Sequence, residues 1–298
     1  YDFKPNALAR GLSDTKSKVI GIIAADVRNP FYAEVFVACE VAASEYGYTV
    51  LLGNSLGETE SEKLQLEKLK EQRVDAVIQM GGCVDDLSSK VHYVEKVNQL
   101  TNLIPMVVTG KLDGTQCYQV RINDTKSMDL IMEHLVELRH RKIAVIGGRM
   151  NVLSTFEKFQ RYKQLLDLYQ IPFLPELVGA EGGYDTETGY KEMRAMLDRG
   201  AVPTAVIAVN DFTAVGVMKA IQETGLRIPE DISVVSYDDT YIAELVTPAL
   251  TEVCYNYPHF GKVLIETAIA AVEDREVPDR QWIEPRLVIR NSTARARG

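Results

Sequence analysis

The sequence of 298 residues has few of the groups that build disulfide and metal sites. Its four cysteines lie far apart, with no C-x-x-C pair among them: Cys39, Cys83, Cys117 and Cys254. Its four histidines are also scattered, without H-E-x-x-H spacing: His92, His134, His140 and His259. We therefore predict reduced thiols in a cytoplasmic protein, histidines at the surface or at helix ends, and no metal or cofactor site.

Long apolar runs and an excess of positive charge are also missing. No uninterrupted apolar stretch approaches the roughly 18 residues of a membrane-spanning helix, and no charged and then apolar leader opens the chain. The net charge is −9, whereas nucleic-acid binding requires clustered Lys and Arg. We expect no membrane contact, and any DNA contact must be local.

Motifs of the common catalytic sites are absent as well. The sequence has no G-x-G-x-x-G after a strand, no G-x-x-x-x-G-K-[ST] and no G-x-S-x-G. Its acidic residues at strand ends have no evident nucleophile or base beside them. The sequence therefore predicts no catalytic residue, and an enzyme is the least favoured class.

What the sequence does contain is an alternation of apolar runs and amphipathic stretches. VIGIIAA, TVLLGN, DAVIQM and PMVVTG alternate with helical patterns, and the alternation begins again at Asp124 with KIAVIGG, TAVIAVN and ISVVSYDD. Near-continuous apolar strands are typical of parallel sheets buried on both faces. We predict an α/β protein with two doubly wound parallel-sheet lobes and a ligand cleft between them.

Polar residues follow several of these strands, where open α/β sheets bind ligands. Asp26 and Asn29 follow the first strand, and Asn210 and Asp238 follow later ones. The alternative is that such residues cap the next helices, and for Asp211 capping is the preferred prediction.

The burial of two helical stretches can also be predicted from their composition. The charged run ESEKLQLEKLKEQ is typical of a solvated helix face. FYAEVFVACEVAASEYG is rich in small residues and is expected to be mostly core, with a dimer seam as the alternative.

Several segments together resemble the LacI/GalR family of bacterial transcription regulators, whose core shares its fold with periplasmic sugar-binding proteins. They are KPNALARGL, SKVIGIIAADVRNPFY, EYGYTVLLGNS, the run from Arg73, AVNDFTAVGVMKAI, GLRIPEDISVVSYDDT, the run from Leu250, and EPRLVIRNST. They span nearly the whole chain in the family's order. The resemblance implies a type I periplasmic-binding-protein-like fold, a homodimer, and a helix-turn-helix module upstream of Tyr1.

The resemblance also implies discontinuous lobes, because the chain crosses between them three times. The expected division is a hinge at 1–15, an N-terminal lobe at 16–122 and 256–283, and a C-terminal lobe at 123–255 and 284–298.

Effector contacts are carried over where the local motif matches. Phe31 and Tyr32 resemble an aromatic pair that packs on a sugar ring, with helix-start core packing as the alternative for Phe31. The full expected set is Asp26, Asn29, Phe31, Tyr32, Lys111, Lys158, Tyr184, Asn210, Asp238 and Tyr255.

Three positions depart from the family pattern. Gly110-Lys111 replaces a usual Asp-Arg, Lys158 replaces an Arg with Arg161 at a Gly position, and Tyr255 replaces a common Gln. Two lysines suit an anionic effector such as a sugar phosphate or sugar acid, and the alternative is that both lie on solvated helix faces.

The opening segment YDFKPNALARGL has helical features but is too short to be stable alone. Pro5 suits a first helical turn, and Leu8 and Leu12 lie four residues apart on one helix face. The resemblance implies a hinge that is disordered without DNA and contacts it through Lys4, Asn6, Ala9, Arg10 and Leu12. A frayed terminus is the alternative.

The sequence thus predicts a DNA-binding regulator whose partners are operator DNA, a small carbohydrate-like effector and a second copy of itself. Lobe rotation in the dimer would couple effector to operator. The rival is a periplasmic-type solute-binding protein of a sugar transporter, which has the same core.

The hinge assignment predicts the effect of one substitution. In the protein joined to its helix-turn-helix module, Leu12→Ala is expected to lower operator affinity, because a leucine wedge in a minor-groove step is lost. Effector binding should not change. Operator titration and effector titration check both points, and unchanged operator affinity would exclude Leu12 as the wedge.

Overall fold

The computed structural model describes residues 16–179 and 182–297. These residues form two compact units: the first comprises the chain up to Arg121 together with Tyr257–Trp282, and the second comprises Ile122–Asn256 with the segment from Ile283 onward. These boundaries lie within two residues of the expected lobe boundaries.

Strands and helices alternate along the described chain. The strands are β1 (Val19–Ala24), β2 (Thr49–Asn54), β3 (Ala76–Met80), β4 (Met106–Val108), β5 (Tyr118–Ile122), β6 (Ile143–Ile146), β7 (Val178–Gly179), β8 (Ala205–Ala208), β9 (Ser233–Asp238), β10 (Thr251–Cys254), β11 (Arg280–Ile283) and β12 (Arg286–Val288). The helices are α1 (Pro30–Glu45), α2 (Thr59–Glu71), α3 (Val91–Thr101), α4 (Asp124–Glu137), α5 (Leu153–Leu168), α6 (Thr186–Asp198), α7 (Asp211–Glu223), α8 (Ile242–Leu245) and α9 (Tyr257–Val272). Short 3₁₀ turns occur at Gly82–Asp85 and Pro175–Leu177.

The sheet of the first unit has six strands in the order β11-β5-β4-β3-β1-β2. Strand β1 pairs in parallel with β2 and β3, so that Ile22 lies opposite Leu52 on one side and Ile78 on the other. Strands β1 and β3 are buried almost throughout, which explains their unbroken runs of apolar residues. The core on one face joins this sheet to α2 and α3 through Leu66, Leu69 and Tyr93.

Helices α1 and α9 pack against each other at the position of a glycine. A Cβ atom on Gly261 of α9 would lie 2.4 Å from the carbonyl carbon of Ala38 in α1. Ala38, Ala42 and Ala43 of α1 are buried, so this helix contributes small side chains to the core, while Val37 and Val41 are exposed. The small residues of α1 therefore serve close helix packing.

The second unit repeats the same plan, with the order β12-β10-β9-β8-β6-β7. Strand β8 pairs in parallel with β6 and β9, while β12 pairs antiparallel with β10. The core combines β6, β8 and β9 with α6 and α7, centred on Ile146, Met193, Val217 and Ile221. The α/β prediction with two parallel-dominated sheets is confirmed.

One surface prediction needs correction, while His140 lies just after a helix end, which is one of its two predicted placements, and is buried. Glu62 of α2 belongs to the charged run predicted to be solvated, but it is fully buried, so that prediction is wrong for Glu62. His140 follows α4 and is 1% exposed. Its ring nitrogens contact the hydroxyl of Thr204 at 3.0 Å and the carbonyl of Ala294 at 2.9 Å. Burial lowers the pKa of His140, so its neutral form is favoured.

Three further features of the described chain bear on the sequence predictions. All four cysteines are free and buried, as reduced core thiols should be. No helix in the described ranges is long and apolar enough to cross a membrane. The described residues contain no group of three or more His, Cys, Asp or Glu side chains arranged to hold a metal ion.

The contact at Gly261 can be tested by adding one methyl group. Alanine normally favours a helix over glycine, but in Gly261→Ala we expect the free energy of unfolding to fall by roughly 1–3 kcal/mol, because the new Cβ collides with the α1 backbone. Urea unfolding measures this difference. Lys262→Ala, on the exposed side of the same helix, is the control and should change little. A more stable Gly261→Ala variant would contradict the packing described.

Candidate functional site

Asn210 lies where β8 ends and α7 begins, and its side chain uses both of its polar atoms. Its Oδ1 accepts a hydrogen bond from the backbone N–H of Thr213 at 2.9 Å, which caps α7. Its Nδ2 donates to the carbonyl of Tyr184 at 2.9 Å. Asn210 therefore ties the loop before α6 to the carboxyl edge of the sheet.

The side chain of Tyr184 extends this connection to α5. Its hydroxyl lies 2.9 Å from the Oγ1 of Thr155 at the start of that helix. The guanidinium of Arg149 lies 5.7 Å from the ring centroid. Three elements of the second unit thus converge around one tyrosine at the carboxyl edge of the sheet.

Asp238 ends β9 in an unusual backbone conformation. Its φ is 94°, and that of Asp239 is 54°, both in the left-handed region that non-glycine residues rarely adopt. Burial raises the pKa of Asp238 to about 8, with a further increase from the charge of Asp211 and a decrease from Lys158. Hydrogen-bond donors arriving at this carboxyl would favour its ionised form.

Lys158 of α5 lies inside the unit, between an acid and an aromatic ring. Its Nζ is 3.2 Å from Asp124 Oδ1 and 4.0 Å from the ring centroid of Tyr237. Only 12% of the lysine side chain and 9% of the aspartate side chain are exposed. The ammonium group is therefore already matched by a carboxylate and by the face of a ring.

A small cavity of about 20 Å³ lies beside this lysine. Lys158, Thr155 and Tyr237 line it together with apolar side chains: Met128, Val145, Phe159, Ile207 and Val209. A space of this size holds about one water molecule. Its lining is apolar with a few polar groups.

A layer of buried charges lies beneath Asp238 and Asp239. Arg290 Nη2 donates to Asp239 Oδ1 at 2.6 Å, and the backbone N–H of Asp239 donates to Glu252 Oε2 at 3.0 Å. Asp211 accepts two hydrogen bonds from Thr240, from its hydroxyl at 2.5 Å and its backbone N–H at 3.2 Å. The prediction that Asp211 caps α7 is therefore wrong, since Asn210 is the cap.

In the first unit, Asp26 and Asn29 form local bonds after β1. Arg28 donates to the Asp26 carboxylate from Nε at 2.9 Å and Nη2 at 2.7 Å, and these bonds lower the pKa of Asp26. Asn29 Oδ1 accepts from the backbone N–H of Phe31 at 3.1 Å and caps α1. The capping alternative therefore describes Asn29.

The aromatic pair Phe31 and Tyr32 is partly exposed. Their rings meet edge to face with centroids 5.2 Å apart, and Phe31 also meets Tyr257 at 6.1 Å. A Cβ at Gly81 would lie 2.2 Å from the Tyr32 hydroxyl oxygen, so Tyr32 reaches over a position where only glycine fits. The pair is positioned by packing within its own unit.

The two remaining predicted residues are Lys111 and Tyr255. The Nζ of Lys111 lies 2.9 Å from Asp113 Oδ2, and its backbone N–H donates to the carbonyl of Val84 at 2.7 Å. Tyr255 directly follows β10 and is 1% exposed. The predicted hinge residues Lys4, Asn6, Ala9, Arg10 and Leu12 lie outside the described residues.

Sequence reasoning missed a buried network in the first unit. Glu62 accepts from Gln79 Nε2 at 2.9 Å and from the backbone N–H of Cys83 at 3.1 Å. The side-chain Oε1 of Gln79 in turn accepts from the hydroxyl of Tyr93. Burial raises the pKa of Glu62. The available signal was a helical one, since Glu62, Leu66 and Leu69 share one face of α2.

The architecture matches a known class of domain. Residues 132–293 match the model of the family described as "Periplasmic binding protein-like domain". The fold also matches the structure of the Lac repressor dimer bound to operator and the anti-inducer ONPF, with a TM-score of 0.87, 26% identity, and coverage of 98% of this chain and 100% of that chain. A CelR–cellobiose complex, 24% identical with a TM-score of 0.82, covers 95% of this chain and 88% of that chain and shares the fold.

Sequence relatives narrow the class to regulators. The chain is 32% identical to the HTH-type transcriptional repressor PurR of Yersinia pestis (strain Pestoides F), over 98% of this chain and 84% of the relative. It is 28% identical to the PurR of Haemophilus influenzae (strain PittEE), over 98% of this chain and 86% of the relative. The chain belongs to the LacI family of transcriptional regulators, and its relatives are repressors rather than enzymes.

The buried position of Lys158 gives a testable consequence. Lys158→Met keeps the length of the side chain but removes the cation between Asp124 and Asp238. We expect the free energy of unfolding of the second unit to fall by about 3 kcal/mol, the typical effect of removing one partner of a buried ion pair. Chemical unfolding measures it. Lys126→Met, on the exposed side of α4, is the matched control, and an equal effect of both substitutions would contradict the assignment.

Proposed function

We propose that this chain is the effector-binding core of a cytoplasmic, homodimeric repressor whose operator affinity responds to a neutral, carbohydrate-like compound. The proposal places the effector at the carboxyl edge of the second sheet, against Tyr184, Asn210 and Asp238. The observation that carries it is the convergence there of an aromatic ring, an amide and a carboxyl at the ends of β8 and β9. Paired hydroxyls and the apolar face of a sugar ring match this set chemically.

A neutral effector is favoured over a sugar phosphate or a sugar acid. Both lysines that suggested an anion are paired with carboxylates, Lys158 with Asp124 and Lys111 with Asp113. An anion at Lys158 would also approach Asp238 and Asp124. Because a partly buried cation that already has its counter-ion gains little from a second anion, charge on the effector brings no evident advantage.

The remaining predicted contacts keep their place in the proposal. Five of them belong to the first unit: Asp26, Asn29, Phe31, Tyr32 and Lys111. The other two, Lys158 and Tyr255, belong to the second unit. Asp26 is the weakest of them, because Arg28 already occupies both of its oxygens.

Operator binding is proposed to run through the hinge residues Lys4, Asn6, Ala9, Arg10 and Leu12 and a helix-turn-helix module. Support comes from the relatives named HTH-type repressors and from the Lac repressor dimer bound to operator, which covers nearly the whole chain. Coupling requires only that the effector bind one arrangement of the protein better than the other.

The effector class is tested by thermal shift with a panel of neutral sugars, sugar phosphates, sugar acids and nucleosides. Stabilisation grows with the ratio of ligand concentration to Kd, so a true effector should raise Tm in proportion to the logarithm of its concentration. We expect the hit among the neutral sugars. An exclusive response to anions would contradict the proposed class. A hit that does not alter operator affinity would contradict regulation.

Asp238 provides the sharpest variant test. Asp238→Asn is expected to weaken effector binding about ten- to a hundredfold, since hydrogen bonds to a charged acceptor are lost. Binding that favours the ionised carboxyl must release protons, so wild-type affinity should fall as the pH drops below about 8. Calorimetric titrations between pH 6 and 9 measure both effects.

Glu244→Gln is the matched control for this variant, because Glu244 is an exposed acid near the same edge. It should keep both the wild-type affinity and its pH dependence. If Asp238→Asn binds as tightly as wild type and with the same pH profile, Asp238 does not contact the effector.

A further inference from the structure

Two carboxyl groups of the second unit face each other in its interior. Asp211 begins α7 and Glu252 lies in the middle of β10, and they are 3% and 0% exposed. The two carboxyls hold adjacent residues, Glu252 the N–H of Asp239 and Asp211 the N–H of Thr240, and each acts on the pKa of the other. Two ionised carboxylates have only acceptor atoms, so a bond between them requires a proton on one of them.

Each carboxyl has one oxygen with a conventional donor and one without. Thr240 donates to Asp211 Oδ2, and the backbone N–H of Asp239 donates to Glu252 Oε2. The other two oxygens, Asp211 Oδ1 and Glu252 Oε1, are inaccessible to water and have no donor among the described residues. These are the atoms left to bond the two groups together.

The surrounding charges do not supply a substitute for that proton. Arg290 directs its guanidinium to Asp239, Glu244 and the carbonyl of Leu250. Lys158 lies against Asp124 and the ring of Tyr237. The charge of Asp239 acts on the pair from the end of β9 and opposes its full ionisation.

We propose that Asp211 and Glu252 hold one proton between them at neutral pH, and that this protonated pair positions the Asp238–Asp239 turn. Glu252 accepts a hydrogen bond from the N–H of Asp239, and Asp211 accepts hydrogen bonds from the N–H and the hydroxyl of Thr240. The pair therefore fixes the left-handed turn at two successive residues. The two acids are positioning residues for the edge that carries Asp238. Burial raises the pKa of both groups, in agreement with a retained proton.

The sign of the pH effect follows from this arrangement. In the unfolded chain Glu252 ionises near its ordinary pKa of about 4.3, while the folded pair keeps its proton well above that pH. The folded state therefore binds one more proton than the unfolded state, and stability declines as the pH rises through this window. The pKa values of Asp238 and Glu62 are also raised, so these groups make stability decline with pH as well. The contribution of the Asp211–Glu252 pair is therefore measured as a difference between wild type and a variant.

The test compares wild type with Glu252→Gln, in which an amide donates permanently to Asp211 and no proton is required. Urea unfolding is measured from pH 6 to 9. The ratio of the wild-type to the Glu252→Gln unfolding constant should rise about tenfold per pH unit while the folded pair retains its proton. If the unfolding constants of the two proteins changed with pH in parallel, the proposal would be overturned. Glu244→Gln, the exposed control, should follow wild type.

In Asp211→Asn the amide replaces the other carboxyl of the pair and donates to Glu252. This variant should show the same change in the pH dependence of the unfolding constant. It keeps the experiment decisive if Glu252→Gln fails to fold. Failure of both amide variants to fold would also contradict the proposal, because an amide donor should replace the shared proton in either direction.

A second measurement tests positioning, and this part rests on the proposed function. Glu252→Leu removes the acceptor of the Asp239 N–H, so the compound identified by thermal shift should bind about tenfold more weakly, whereas Glu252→Gln should bind as wild type does. Equal affinities in all three proteins would overturn the positioning role. The unfolding experiment uses no effector, so its outcome does not depend on whether the effector class is correct.

Discussion

The candidate site depends on one constraint, that charge withdrawn from water must be matched at close range. Asp124 is matched by Lys158 and Asp239 by Arg290, each from a different element. In this setting a backbone turn with two consecutive left-handed residues persists, because surrounding bonds fix it at several points. The position of Asp238 at the edge is therefore a product of the electrostatics beneath it.

The fold could be predicted from local patterns to a large extent. VIGIIAA matches β1, and the second round of alternation matches β6, β8 and β9, because buried parallel strands must be continuously apolar. TVLLGN matches β2, an edge strand that is mostly only partly buried. The antiparallel strand β12 could not be predicted in this way. Its three residues have a mixed composition, and their pairing with β10 depends on where the chain returns after α9.

The site was less predictable, and the reasons are physical. Asn210 and Asp238 could be placed at the carboxyl edge because each lies where an apolar strand ends. The role of Asp211 could not be predicted, since its partner Thr240 comes from a distant part of the chain. Local sequence likewise does not indicate that Lys158 faces Asp124, because two separate helices bring them together. The burial of Glu62 was not predicted, because charged residues in a helix usually lie on its solvent-exposed face.

The late position of the closing strands affects how this protein can be made. Strand β11 completes the sheet of the first unit, and β12 with Arg290 completes the second, yet both follow every other strand of the described residues. Ser292 then bonds to Val234 and Thr251 inside the second unit. Domains ordinarily fold one after another as they leave the ribosome. Here the first unit cannot complete its sheet until β11 has been made, and β11 follows β6 to β10 of the second unit, so the two units must complete their folding together.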